Sequence, residues 1–212
     1  MIRILCYGDS NTWGYIPAGD GKRYDENTRW TKLLSKALGN EFEIIEEGMC
    51  SRTLASEDAE SVKELKNGYT LLSPIVRTHD KFDIFVLMLG TNDLKASFKN
   101  SPQTILEHTK KYIDFVTNYQ SKVDATTPKF VLMGIAPVDD TKGFSVLDTK
   151  FAGATKLQQQ ASELIKNYAE KNGICYVDNS DLEAGADGLH LTAESHKKIA
   201  NKLTMLIKEM NL

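Results

Sequence analysis

Residues 82–89 read Phe-Asp-Ile-Phe-Val-Leu-Met-Leu, and Gly90-Thr91-Asn92-Asp93 follow at once. Almost every side chain in the first stretch is apolar, the pattern of a strand buried on both faces. A sheet with one wet face would alternate apolar and polar residues instead. The stretch therefore predicts a central parallel strand that stops at Gly90. Parallel strands need long crossovers, usually helical, and the flanking sequence supplies them. Upstream, residues 2–7 form a short apolar run stopped by Gly8, and residues 42–45 a second. Residues 30–38, between them, carry apolar side chains at helical spacing ahead of Gly39, and residues 69–79, beyond the second run, form another helical stretch. Downstream, residues 102–119 predict a helix with Pro102 in its first turn, where a missing N–H costs little. Residues 130–135 then read as strand, 157–171 as helix, 174–177 as strand and 192–210 as a closing helix. This alternation predicts an α/β fold of three layers, α/β/α, over a five-stranded parallel sheet in the flavodoxin-like order 2-1-3-4-5. Residues 1–212 are expected to form one domain.

The bulk composition narrows the function. With 41% hydrophobic and 26% charged residues the chain reads as an ordinary globular protein. A formal net charge of −3 offers no attraction to nucleic acid or to an anionic membrane surface, so neither is expected as a partner. No run approaches the roughly 18 apolar residues of a membrane span, and the N-terminus lacks the pattern of a signal peptide. Cys6, Cys50 and Cys175 are odd in number and scattered, which suits a reducing compartment and offers no zinc framework. A cytoplasmic location is expected, with no metal and no organic cofactor.

Ligands of open α/β sheets bind beyond the carboxyl ends of the strands. Three polar clusters fall there: Gly8-Asp9-Ser10-Asn11-Thr12, Gly90-Thr91-Asn92-Asp93, and Asp187-Gly188-Leu189-His190. A serine hydroxyl is a poor nucleophile until an imidazole takes its proton. That imidazole in turn needs a carboxylate to hold its tautomer. Ser10 stands at a Gly-supported turn, and Asp187 and His190 are spaced so that one turn joins carboxylate to ring. The amide of Asn92 and the backbone N–H of Ser10 are candidate donors to a developing oxyanion.

The GDS of residues 8–10, the GTND of 90–93 and the DGLH of 187–190 resemble the signature blocks of the SGNH/GDSL hydrolases. A further block, Glu46-Glu47-Gly48-Met49-Cys50-Ser51-Arg52-Thr53, stands after the second strand, where that family carries one. The start GDSNTWG and the EEGMCSRT block look most like the bacterial arylesterase/acyltransferase branch. The resemblance implies Ser10 as nucleophile, His190 as general base and Asp187 as its orienting acid. It also implies an oxyanion hole from Ser10 N–H, Ser51 N–H and the Asn92 side chain. Two positions depart from the pattern: Ser51 stands where Gly is frequent, and Asn11 replaces the Leu of GDSL. The reaction implied is hydrolysis of short-chain carboxylic esters through an acyl-Ser10 intermediate, with acyl transfer to alcohols as a property of the branch. A homo-oligomer is a further expectation from that branch.

Each residue also has a plainer reading. Ser10 alone is a good helix cap, Asn92 a turn residue and His190 a loop histidine. Trp13 and Tyr15 are candidate substrate-binding residues, read equally as pocket wall or ordinary packing. Asp9 is expected to hydrogen-bond its turn, Asp93 to serve loop structure, and His79, His108 and His196 to sit in helices without a catalytic partner. Arg52 is expected to pair with Glu46 or Glu47. The polar stretch 137–149 is expected to border the pocket or an interface. Two rivals share this sequence: a deacetylase of acetylated carbohydrates or small metabolites with the same triad, and a binding module for phosphate or nucleotide. Against the second, the first strand–helix turn has neither GxGxxG nor GxxxxGK[ST].

Overall fold

The structure, a computed structural model, describes residues 1–57, 59–123, 125–143 and 149–210. Strands β1 (Ile2–Gly8), β2 (Phe42–Gly48), β3 (Ile84–Met88), β4 (Lys129–Met133) and β5 (Cys175–Val177) pair in parallel in the order β2-β1-β3-β4-β5. This is the order read from the sequence. Helices α1 (Ser10–Trp13), α2 (Trp30–Leu38), α3 (Ala59–Glu64), α4 (Gly68–His79), α5 (Pro102–Lys122), α6 (Ala154–Lys171) and α7 (Ala193–Glu209) connect or flank them. Two 3-10 turns, Thr91–Leu94 and Ala96–Phe98, follow β3.

The twofold alternation of strand side chains divides the core between two faces. Leu5, Tyr7, Phe85, Leu87 and Leu132 point to one face and pack against α4, α5 and α6 through Leu72, Val76, Ile105, Val116, Ala161 and Ile165. Ile4, Cys6, Val86, Met88, Val131 and Met133 point to the other, against Trp30 and Leu34 of α2 and Ile199 and Leu203 of α7. β3 is buried along its whole length, as residues 82–89 required. Each large apolar side chain so buried contributes about 1.5–3 kcal/mol, so the two faces fix the layering.

The departures from expectation have local causes. β1 and β2 run further than their apolar runs, to Gly8 and Gly48, which pair with each other; Gly8 also pairs with Met88. A Cβ on Gly8 would lie 1.9 Å from Thr12 Oγ1, and one on Gly48 2.3 Å from Trp13 N, so bare backbone lets α1 rest on the strand ends. α3 comes from a charged segment with little apolar periodicity to announce it. α4 continues through Pro74, whose ring nitrogen gives Thr70 no hydrogen bond, because Leu72 and Val76 on either side are buried in the core.

Candidate active site

Asp9 caps α1, its carboxylate accepting Asn11 N–H at 2.8 Å, and this sets Ser10 at the first helical position. The loop after β5 folds over it. Gly188 takes a left-handed φ of +70°, which lets the chain double back so that Asp187 Oδ1 accepts the N–H groups of Leu189 (3.0 Å) and His190 (2.9 Å). Asp187 Oδ2 lies 2.8 Å from His190 Nδ1 and accepts Ala18 N–H at 2.9 Å. His190 Nε2 lies 3.0 Å from Ser10 Oγ. Ser10, His190 and Asp187 thus form one buried hydrogen-bonded chain.

Two neighbours hold the imidazole. Asn11 Oδ1 accepts Leu191 N–H at 2.9 Å and its amide reaches Leu189 O at 3.4 Å, so the residue after Ser10 grips both sides of His190. Tyr15 stacks on the His190 ring, with centroids 4.1 Å apart and planes 22° from parallel. Trp13 stands one ring further away, 6.2 Å from Tyr15 and under the Arg23 guanidinium at 5.1 Å. The stretch 137–149 meets the site through its described part. Asp139 N–H donates to Gly188 O at 2.8 Å, and a Cβ on Gly143 would lie 2.3 Å from Asp187 Cα. That segment therefore backs the acid loop; residues 144–148 lie outside the described residues.

The opposite wall comes from the block after β2. Ser51 has φ +64°, the left-handed geometry that explains why glycine suits this position and that costs a non-glycine residue roughly 1–2 kcal/mol. Among the described residues, the backbone N–H groups of Ser10 and Ser51 have no acceptor. Asn92 Nδ2 donates to Arg52 O at 3.1 Å, leaving its second amide proton for another acceptor. Arg52 is buried over the Tyr7 ring at 4.2 Å and donates to Gly8 O at 3.0 Å and to Glu47 O. Of its two expected partners it is Glu47 that approaches, at 3.9 Å; Glu46 joins Arg29 and Lys32 instead.

Burial opposes charge on Asp187, yet hydrogen bonds from the His190 ring and from the backbone of His190, Ala18 and Leu189 outweigh it and hold the carboxyl well below the usual range. Its charge is thereby kept where it can support an imidazolium. Asp9 and Asp93 have the opposite fate, each pushed up to about 6 chiefly by complete burial. Asp93 ties down the loop beyond Arg52 by accepting Leu54 N–H at 2.6 Å and the Ser56 hydroxyl at 2.7 Å. Burial also pushes the Cys50 thiol up, aided by the Asp9 charge, so the thiol is a poor nucleophile here. His196 is fully buried and accepts Trp30 N–H at 3.3 Å, which supplies α2 with the N-terminal acceptor that Arg29 does not provide.

These groups open into a cleft of about 220 Å³. Ser10, Ser51, Asn92 and His190 line it, with Tyr15 and Leu189 beside the imidazole. Cys50, Lys95, Lys150 and Phe151 complete the lining; Trp13 is not part of it. The roles of Lys95, Lys150 and Phe151 carry no local motif, and only the fold brings them to Ser10. A larger cavity of about 350 Å³, over Gly134, Gln158, Tyr176 and Asn179, contains none of the hydrogen-bonded chain. Among the described residues no cluster of three or more His, Cys, Asp or Glu could hold a metal ion, and no helix is long and apolar enough to cross a membrane. Chemically, such a chain can deprotonate a hydroxyl as it attacks a carbonyl, with N–H donors ready for the oxyanion.

A family model described as GDSL-like lipase/acylhydrolase matches residues 4–203. The chain belongs to this family. Among solved structures, the M. smegmatis aryl esterase is 28% identical, with 98% of this chain and 99% of that chain covered and a TM-score of 0.89. A carbohydrate acetylesterase from Sinorhizobium meliloti has the same identity, the same coverage and the same TM-score. The lipase/acylhydrolase from Enterococcus faecalis, at 17% identity, 98% and 96% coverage and a TM-score of 0.67, shares the fold. No curated protein sequence matches the chain.

Proposed function

We propose that this GDSL-like protein is a carboxylic ester hydrolase working through an acyl-Ser10 intermediate. The observation that carries the reading is the chain from Ser10 Oγ to His190 Nε2 at 3.0 Å and from His190 Nδ1 to Asp187 Oδ2 at 2.8 Å. Ser10 Oγ attacks the ester carbonyl as its proton passes to His190 Nε2, and Asp187 supports the resulting imidazolium. The tetrahedral oxyanion takes hydrogen bonds from Ser10 N–H, Ser51 N–H and the Asn92 amide. Collapse expels the alcohol, which leaves with the proton from His190. Water then gives a proton to His190, attacks the acyl-serine and releases the acid, restoring Ser10. An alcohol in place of that water gives acyl transfer.

The small cleft favours short acyl groups, since pockets for drug-sized ligands run to about 300–1,000 Å³. Tyr15 serves both as cleft wall and as support for the imidazole, and Trp13 buttresses Tyr15. Residues 1–212 act as one SGNH hydrolase domain, in keeping with a family match over 4–203. The free state of Cys6, Cys50 and Cys175 supports a reducing, cytoplasmic setting, and homo-oligomer formation is part of the arylesterase-like reading. The likeness to a carbohydrate acetylesterase supports a second reading, removal of acetyl groups from sugars by the same residues.

Turnover of 4-nitrophenyl acetate and octanoate, beside a folded Ser10→Ala variant, tests the proposal. Loss of a triad nucleophile costs on the order of 10⁶ in kcat, and acetate should outpace octanoate. Equal turnover by both proteins would overturn it. Acetylated sugars in the same assay separate the two substrate readings.

A further inference from the structure

Beyond the ends of β4 and β5 lies the cavity of about 350 Å³, which shares no lining residue with the Ser10 cleft. One face of α6 walls it through Gln158, Ser162, Glu163 and Lys166. Gln158 stands on the buried stripe of that helix with Ala154, Ala161 and Ile165, where an apolar side chain is the ordinary choice. Asn179, in the chain after β5, is a second buried amide, only 1% exposed. Both direct their N–H groups at the chain after β4. Gln158 Nε2 donates to Ile135 O at 2.8 Å, and Asn179 Nδ2 donates to Gly134 O. A carbonyl can only accept, so these bonds fix which end of each amide is oxygen. Asn179 Oδ1 is left buried without a partner among the described residues, and Gln158 Oε1 is likewise left to accept from elsewhere. An acceptor sealed away without a donor destabilises the fold, so the cavity calls for a group that donates.

The rim extends the same surplus of oxygen. Glu163 and Asp178, both exposed, bring two carboxylates to the lining against the single ammonium of Lys166. Tyr176 gives its hydroxyl proton to Ser162 O at 3.3 Å. Burial and the charges of Asp178, Glu163 and Glu170 hold that phenol above its usual range, which marks the local potential as negative. Such a potential disfavours an anion. A wall rich in acceptors suits a molecule that brings several O–H donors and no negative charge. Neighbouring hydroxyls can meet the amide and carboxylate oxygens, and a hydroxyl oxygen can accept from Lys166 Nζ. The volume falls among those of small-molecule sites, about 300–1,000 Å³. We propose that this cavity is a second ligand site, distinct from the Ser10 cleft, and that it binds a neutral polyhydroxylated molecule of monosaccharide size through Asn179, Gln158, Glu163 and Asp178.

Amide NMR spectra test this as the protein is titrated with glucose, galactose, mannose, xylose or myo-inositol. At least one of these should shift, saturably, the backbone signals of Gly134 and Asn179 and the side-chain amide signals of Gln158 and Asn179. The phosphate monoester of the tightest-binding probe should bind more weakly than the neutral parent. Glu163→Ala should raise the dissociation constant on the order of tenfold, as expected for loss of one charged hydrogen bond, and Asn179→Leu should abolish the shifts. Glu163→Ala alters an exposed side chain, so the test stands even if Asn179→Leu fails to fold. Ser10→Ala should bind the probe as tightly as the unmodified protein. The absence of saturable shifts with every probe, or shifts confined to the Ser10 cleft, overturns the inference. A dissociation constant unmoved by Glu163→Ala and by a folded Asn179→Leu does the same. Ester turnover is a separate readout, so failure here leaves the hydrolase reading in place.

Discussion

Replacing Asn11 by Leu would restore the residue that gives the GDSL motif its last letter, yet the structure makes it a damaging change. Asn11 Oδ1 accepts Leu191 N–H at 2.9 Å in a fully buried setting, and its amide reaches Leu189 O at 3.4 Å. Leucine fills similar space and takes neither bond. A buried N–H left without its acceptor costs about 1–3 kcal/mol. The longer contact to Leu189 O adds little. For a chain of this size each kcal/mol lowers Tm by roughly 2–4 °C, which thermal unfolding reads directly, with urea unfolding giving the free energy. The same two bonds bracket His190, so the imidazole loses its register with Ser10. A displacement of about 1 Å at a reacting group costs up to 10²-fold in rate. Turnover of 4-nitrophenyl acetate should accordingly fall by more than tenfold below the melting transition. An Asn11→Leu protein as stable as the parent and within twofold of its kcat would refute the clamp.

Other consequences follow from the same geometry. Asp187→Asn keeps the shape but removes the charge that supports the imidazolium, and kcat should fall on the order of 10³–10⁴ in the same assay. His196 is held down to about 4 by burial and by the charge of Arg29. The unfolded chain, near 6.5, binds a proton that the folded one refuses, so this residue makes stability fall as pH drops from 6.5 towards 4. His196→Asn keeps an acceptor for Trp30 N–H; between pH 7.5 and 4.5 it should lose about 2–3 kcal/mol less than the parent in urea titrations. An identical pH dependence in both proteins would count against a buried neutral His196. Gly143→Ala forces a methyl against the backbone of Asp187 at a positive φ, and should cost about 1–3 kcal/mol with a fall in kcat. A variant indistinguishable from the parent in unfolding and turnover would show that the loop need not touch Asp187.

The layering was legible because it rests on patterns that survive in one dimension. The run at 82–89, broken only by Asp83, has the pattern of a doubly covered strand, and Gly8, Gly39 and Gly90 marked where elements stop. The strand order followed, and with it the gathering of Ser10, Asn92, Asp187 and His190 at one rim. What stayed hidden depends on tertiary contact. Lys95 and Lys150 are ordinary lysines until the Ala96–Lys150 hydrogen bond brings their segments together. Asn11 read as a flanking change, and only the fold shows it holding a loop nearly the whole chain away. His196 gave no sign that it would serve α2 from a different helix. Asp93 sat in a readable motif, but its work of accepting bonds from Leu54 and Ser56 depends on the segment beyond β2. Trp13 and Tyr15 were equal candidates in sequence; the turn of α1 brings Tyr15 onto His190 and leaves Trp13 against Gly48.

The acyl-enzyme itself is the most direct object to observe. The protein is mixed with 4-nitrophenyl acetate, quenched in acid within the first turnovers, digested and mapped by mass spectrometry, alongside the Ser10→Ala variant. An added acetyl group on the peptide containing Ser10, absent from the Ser10→Ala protein, is the expected result. Rapid release of 4-nitrophenol with the acetyl group on another residue, such as Cys50, or with an equal yield from the Ser10→Ala protein, would contradict the assignment of Ser10 as the nucleophile.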